Sequence, residues 1–345
     1  MKSINKITSI LAASLLIFGM AEISIAQEDN RAEAIQLYND AQELAGGGEF
    51  DGSIELYREA LGIARESQLD DIIELIEESL PRIYHQRAAN AYRGYQNERT
   101  IESANRALDY FKESKDAAEE FGDQQSAQRA ENAIPQLYYL RSVLEFRADN
   151  YETAIEDLDT AIELNPDYAQ AYYQRAIVMK RIDEENIEGF LDWFDQAIEI
   201  AERTNQNQVL NNARNGARDE LIYRAVNLAE ERNFTRAVEL LNRVEQYDAD
   251  HYATYYRLAE ISNERGNWSE AETHARRSLE LHTGGVADKA KMYFELGTAL
   301  KGQGEVEQAC SAFEEARYGD FTEPANHELQ FELKCEGHSP TSSNR

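Results

Sequence analysis

The sequence predicts an all-α fold, an α-solenoid of stacked antiparallel helical hairpins, and three observations carry that expectation. Only 5 Pro and 18 Gly are spread over 345 residues, too few for the many turns of a sandwich or barrel and in keeping with long helices. The hydrophobic fraction is 42% and the aromatic fraction 10%, so the chain can bury a core. Segments with small and bulky residues at helical spacing recur 34 residues apart. A lone helical hairpin cannot bury its apolar face, so such units must stack.

The first element is a targeting pattern. Lys2 and Lys6 make a basic start, residues 10–21 are mostly apolar, and Ser24-Ile25-Ala26 places small residues before Gln27 as signal peptidases prefer. Cleavage is expected after Ala26, with export to the periplasm or beyond the cell. The alternative, a membrane anchor, is disfavoured because the apolar run falls short of the roughly 20 residues needed to span and Glu22 follows it. No Cys lies near the cleavage point, which disfavours a lipid anchor. Residues 27–33 are a short leader into the repeats, and no stable membrane insertion is expected after cleavage.

The repeats begin at Ala34. In the middle of the chain, residues 149–168 read DNYETAIEDLDTAIELNPDY and 169–182 read AQAYYQRAIVMKRI, a helix, a turn and a second helix. With Pro135 as the first place of a unit, Tyr138, Ser142, Ala154, Leu158, Ala161 and Pro166 fall at bulky, small, small, bulky, small and proline places. This pattern resembles the tetratricopeptide repeat, a helical hairpin of 34 residues in which small residues let helices approach and bulky ones fill the space between them. The resemblance implies a right-handed superhelix. The unit from Ala169 carries Tyr172 and Ala176, then Phe194 and Ala197 after a shift of two residues near Glu184-Glu185. The unit from Arg218 carries Leu221, Ala225, Ala237, Leu241 and Val244, and the one from Tyr252 carries Tyr255, Ala259, Ala271, Ala275 and Ser278. The best match starts at Ala290, with Tyr293, Gly297, Gly304, Ala309, Phe313 and Ala316. Five units are thus readable: two over 135–203 and three over 218–318. Between them, the Asn- and Gln-rich residues 204–217 are either a helix extension or a bend.

Residues 34–134 depart from the standard length. The stretch around Leu80-Pro81 mirrors that around Ile134-Pro135 at an offset of 54, so these hairpins are read as lengthened, with helices kinked or restarted at proline. The total is about seven hairpins. At the other end, 319–336 is read as a capping segment whose apolar side is Leu329, Phe331 and Leu333, and the polar residues 337–345 as a disordered tail. The bulky-place tyrosines Tyr84, Tyr138, Tyr172, Tyr255 and Tyr293 are expected in the core. Cys310 and Cys335, 25 apart with no other thiol to compete, most simply form one disulfide in an oxidising compartment, the alternative being two unlinked buried thiols.

The formal net charge of -30 argues against nucleic acid or an anionic membrane as a surface partner. An acidic, Lys-poor surface also keeps an exported chain soluble and by itself names no partner. Catalytic patterns are missing. His327-Glu328 opens a zincin-like pair, but Phe331 stands where the second His is needed. Gly302-Gln303-Gly304 is followed by Glu305 rather than a phosphate-binding lysine. No catalytic residue, cofactor or metal is expected, and neither cysteine has a second Cys or His at ligand spacing.

What the resemblance implies instead is a concave surface lined by fixed places of each first helix. Those places are held by Arg82, His85, Tyr92 and Arg93, then Tyr139, Phe146 and Arg147, then Tyr173, Ile177, Lys180 and Arg181, with Gln136, Val143 and Gln170 beside them. Aromatics give rigid contact area and arginine forks around carboxylates, a combination suited to an extended peptide. The alternative is that these side chains serve packing between repeats. In the later units Glu260 and Glu264 make the corresponding surface acidic. The expected function is an exported, non-enzymatic scaffold for peptide segments or protein partners, in assembly or organisation of the cell envelope. The alternative is a structural homo-oligomer built by self-association of the solenoid.

Overall fold

The computed structural model describes residues 27–337. The leader read over 1–26, and all but the first residue of the tail read over 337–345, lie outside the described residues. Fifteen α-helices follow one another in pairs among the described residues, with no β-strand. They are α1 (27–47), α2 (Phe50–Glu66), α3 (Asp70–Glu98), α4 (Ile101–Glu120), α5 (Gln124–Arg147), α6 (Tyr151–Leu164), α7 (Ala169–Ile182) and α8 (Ile187–Arg203). Then come α9 (Asn207–Glu230), α10 (Phe234–Arg243), α11 (Tyr252–Glu264), α12 (Trp268–Leu281), α13 (Val286–Gln303), α14 (Val306–Glu315) and the short α15 (Thr322–His327). Among the described residues, 27–190 form one compact unit and 191–337 a second.

In each unit a helix packs on its successor, and first helices of neighbouring pairs also touch: α3 on α5 and α5 on α7 in the first unit, α9 on α11 and α11 on α13 in the second. The small residues of the repeat are what allow this. Ala154, Leu158 and Ala161 of α6, with Ser142 of α5, are buried, as are Ala259, Ala271, Ala275 and Ser278 of α11 and α12. Helices approach closely at Gly297 of α13, where an added Cβ would stand 2.9 Å from the Phe313 ring of α14. Helix ends carry their own signals. Thr100 and Ser103 form a reciprocal cap at the start of α4, and Asp123 accepts from the Ser126 backbone N–H at the start of α5.

Three expectations are corrected. Neither α3 nor α5 restarts at its proline: Pro81 and Pro135 lie inside continuous helices of 29 and 24 residues. Both prolines are buried, so packing of the flanking turns outweighs the roughly 3 kcal/mol that a helix-interior proline costs. Of the five bulky-place tyrosines, Tyr84 and Tyr172 are buried, Tyr138 and Tyr293 are half-buried and pack against core clusters, and Tyr255 is half-buried outside them. A phenol has a polar tip as well as an apolar body: the Tyr255 hydroxyl donates to the Ala249 carbonyl at 3.0 Å, and Arg141 and Lys112 lie over the Tyr138 ring. The third correction is Phe331, which is 53% exposed. Leu329 and Leu333 are four residues apart and share a helical face against the cluster around Phe313, whereas Phe331 lies between them on the other face.

The segment 204–217 resolves as a turn at Asn205 followed by an amino-terminal extension of α9, with Ala213 and Ala217 buried. At the carboxyl end, α15 and a π-helical turn (Glu328–Glu332) lie back on α14. Cys310 and Cys335 are joined by a disulfide with their Cα atoms 6.0 Å apart, and Lys301 of α13 donates to Glu328 at 2.6 Å.

Ala176→Leu and Gly297→Leu are each expected to lower stability by about 1–3 kcal/mol through overpacking, read as a fall in melting temperature by circular dichroism. Unchanged melting of both would contradict the close helix approach at these places.

Candidate functional site

In the first unit, α3 and α5 leave an open-sided cavity of about 370 Å³ between them. Tyr92, Tyr95, Gln96 and Arg99 line it from α3 and the turn after it, and Leu140, Val143, Leu144 and Arg147 from α5. The Tyr92 and Tyr95 rings stack at 6.0 Å, and next to them Tyr139 meets Tyr168 edge-on at 5.3 Å. Burial pushes the hydroxyls of Tyr95, Tyr139, Tyr168 and Tyr173 above the usual phenol range. All four are neutral at neutral pH and able to donate a hydrogen bond.

Many arginines of the unit bridge helices to carboxylates: Arg87 joins Asp51 and Glu113, Arg141 joins Asp157, and Arg175 joins Asp159, whereas Arg82 and Arg129 form no such ion pair among the described residues. Among the described residues, no carboxylate pairs with Arg93, Arg99 or Arg147. Arg93 donates only to the Asn90 side chain at 3.3 Å, and Arg99 only to the Gln96 carbonyl at 3.4 Å.

Of the side chains expected to face a partner, Tyr92 and Arg147 line this cavity and Tyr139 stands beside it. Phe146 packs on Tyr151 at 5.7 Å, and Arg181 donates to the Tyr151 hydroxyl at 3.3 Å, making a second aromatic and basic contact. Arg82 and Arg93 are exposed, and Tyr173, Ile177 and Lys180 are half-buried on α7. His85 is half-buried, edge-on to Phe111 at 5.9 Å, with burial and then Arg129 holding its pKa below the usual value. Tyr95, Gln96 and Arg99 are contributors that the repeat frame missed. They lie beyond the last groove place of the unit, where α3 runs on to Glu98, and helix length was the signal that could have shown them.

The second unit has a cavity of opposite character. About 210 Å³ lies between α9, α10 and α11, with Val226, Ala229, Leu241 and Ile261 as apolar wall and Glu230, Glu260 and Glu264 as acidic wall. Arg257 pairs with Glu260 at 2.6 Å, and the Tyr256 hydroxyl donates to the same carboxylate. Across α11 the Asn263 amide donates to the Glu295 carboxylate at 2.8 Å. Burial first, then Glu260 and Glu264, push the Glu295 carboxyl up to about 7. Among the described residues no group of His, Cys, Asp and Glu is placed to hold a metal ion, and no helix is long and apolar enough to cross a membrane.

Helical hairpins stacked through small residues, with first helices forming an open lined face, define a helical-repeat scaffold. Residues 144–183, 228–284 and 290–316 match three family models described as TPR repeat or tetratricopeptide repeat, so the chain carries tetratricopeptide repeats over those residues. Such repeats are scaffolds for protein and peptide interaction. No curated protein sequence matches the chain. Among solved structures it is similar to YrrB, described as a TPR protein with an unusual peptide-binding site: 18% identity, 52% of this chain and 84% of that one covered, TM-score 0.31. It is also similar to a tetratricopeptide repeat protein from Parabacteroides merdae at 16% identity, covering 86% and 98% with a TM-score of 0.28. A third is PilW, described as a type IV pilus biogenesis factor, at 13% identity, covering 71% and 97% with a TM-score of 0.30.

Glu295 gives the second unit a pH dependence. Its folded pKa of about 7 lies above its ordinary 4.5, so the folded state keeps a proton that the unfolded chain releases as pH rises through that interval. Stability therefore falls between these values and the loss is complete above the upper one. Glu295→Gln is expected to be more stable than wild type by about 2–3 kcal/mol at pH 8 and equal to it at pH 4, read by urea titration. Parallel stability curves for the two proteins would contradict this account.

Proposed function

We propose that this chain is an exported, non-enzymatic scaffold that holds a peptide segment of a protein partner against the first helices of its first unit, in assembly or organisation of the cell envelope. The observation that carries the reading is the cavity between α3 and α5, where tyrosine rings and unpaired guanidiniums share an open-sided space. Aromatic rings supply rigid apolar area at low entropic cost, and arginine adds direction through its fork of donors. Such a surface binds; it offers no nucleophile and base in hydrogen-bond contact. Export is supported by the basic start, the apolar run and Ser24-Ile25-Ala26 ahead of Gln27. The disulfide fits an oxidising compartment.

The test is capture from exported-fraction proteins by the chain lacking residues 1–26 and by its Arg93→Glu, Arg147→Glu, Arg181→Glu variant, once circular dichroism shows equal folding. A partner retained by the first and lost by the second is the expected result. Identical capture by both would remove the basic face from the function. Self-association with empty capture, read by sedimentation over a concentration series, would favour the homo-oligomer.

A further inference from the structure

We propose that Arg99 is a specificity-determining residue of the α3–α5 cavity, and that with Arg147 it takes a carboxylate of a partner peptide, an Asp or Glu side chain flanked by apolar residues. This rests on the peptide-binding reading of the same face and adds the chemistry of the ligand.

The first observation is the backbone. Arg99 closes α3 in the left-handed region, with φ 51° and ψ 44°. The matching turns between first and second helices are held by Gly48, Gly266 and Gly304, with φ of 85°, 74° and 84°. Glycine takes this conformation without strain, whereas a β-carbon crowds the following carbonyl. Asp149 stands at the corresponding place after α5, and aspartate tolerates the conformation through its short polar side chain. Arginine lacks a short polar group of that kind, and at Arg99 the local compensation is a single long bond, 3.4 Å, from the guanidinium to the Gln96 carbonyl. At Arg232, the other arginine so placed, the side chain is not part of the cavity wall of the second unit. At position 99 the strained residue lines a cavity, and its guanidinium is where an α3 ended by glycine would present nothing.

The second observation is charge. The chain has 65 acidic residues against 35 basic ones, and arginine after arginine in the first unit is taken up by a carboxylate of a neighbouring helix. The two guanidiniums of this cavity are not. Arg99 touches only a backbone carbonyl of its own helix, and Arg147 stands within electrostatic reach of the Tyr95 and Tyr139 hydroxyls and forms no ion pair among the described residues. The opposite walls are apolar, from Leu140, Val143 and Leu144, with the stacked rings of Tyr92 and Tyr95 beside them. A bare phosphate would leave that apolar wall uncovered. An acidic side chain with an apolar neighbour in the peptide covers both parts, the carboxylate accepting from the guanidiniums and the neighbour lying on the rings and aliphatic side chains.

The experiment is selection of phage-displayed random dodecapeptides on the chain lacking residues 1–26, in parallel with Arg99→Gly and Arg147→Gln. The wild type is expected to enrich peptides with Asp or Glu beside an apolar residue. Arg99→Gly, with its turn relieved, is expected to melt no lower than wild type and yet to lose that enrichment, binding the selected peptides about tenfold or more weakly. Arg147→Gln changes a helical residue with no backbone strain and is expected to weaken the same peptides, which keeps the question answerable if the first variant folds poorly. Peptides without acidic enrichment, or the same enrichment and affinity in both variants, would overturn the carboxylate assignment while leaving peptide binding in place. No selected peptide from any of the three proteins would overturn both.

Discussion

Everything in this structure depends on how closely one helix can lie on the next. A helical pair of this length buries only one stripe of its surface, and the remainder must be covered by its neighbours. That coverage is set by residues with little or no side chain: Ala154 and Ala161 in the first unit, Ala271, Ala275 and Gly297 in the second. The large side chains then have a fixed space to occupy, as Phe313 does over Gly297 and Leu158 does between buried alanines. The open face that carries the candidate sites is the side of the first helices that this packing leaves uncovered.

The same constraint explains what is legible in the sequence. Small residues at fixed spacing are visible as letters because packing permits little else there, so the spacing alone frames the helix pairs from Pro135 onward. The lengthened pairs are signalled by Pro81 and Pro135 but not resolved by them, because a buried proline does not end a helix whose flanking turns are held by neighbours. Phe331 misleads because alternation of apolar residues suggests one face, and only the helical turn shows that Leu329 and Leu333 share a side without it. The site is half legible. Tyr92 and Arg147 fall on groove places of the repeat, whereas Tyr95 lies on helix that a standard unit does not have and Arg99 on the turn that closes it. A frame taken from repeat length has no place for residues beyond its last groove position.

Charge is organised on two scales. Over the whole chain it is strongly negative, and within the first unit arginine acts as an internal connector, with Arg87 tying α2, α3 and α4 together through Asp51 and Glu113. Such a bridge has one guanidinium largely withdrawn from water and two carboxylates still exposed, which limits the desolvation cost. Against that background the unpaired arginines beside Tyr92 and Tyr95 stand out as charge not used for folding. The second unit reverses the pattern: Glu230 and Glu264 face a cavity, and Glu295 behind them keeps a proton near neutrality because it is buried and its neighbours are already negative. The two units thus each carry a cavity, one whose charged lining is arginine and one whose charged lining is mainly glutamate.

The Cys310–Cys335 link has a consequence for the way the second unit comes apart. In a linear stack each pair is held only by its neighbours, so thermal fluctuation works inward from whichever end is loose. The link staples the terminal segment to α14 and adds Leu329 to the apolar cluster of α13 and α14. The covalent link opposes separation of that segment from α14, so opening of the unit on this side meets a constraint that stacking alone would not impose.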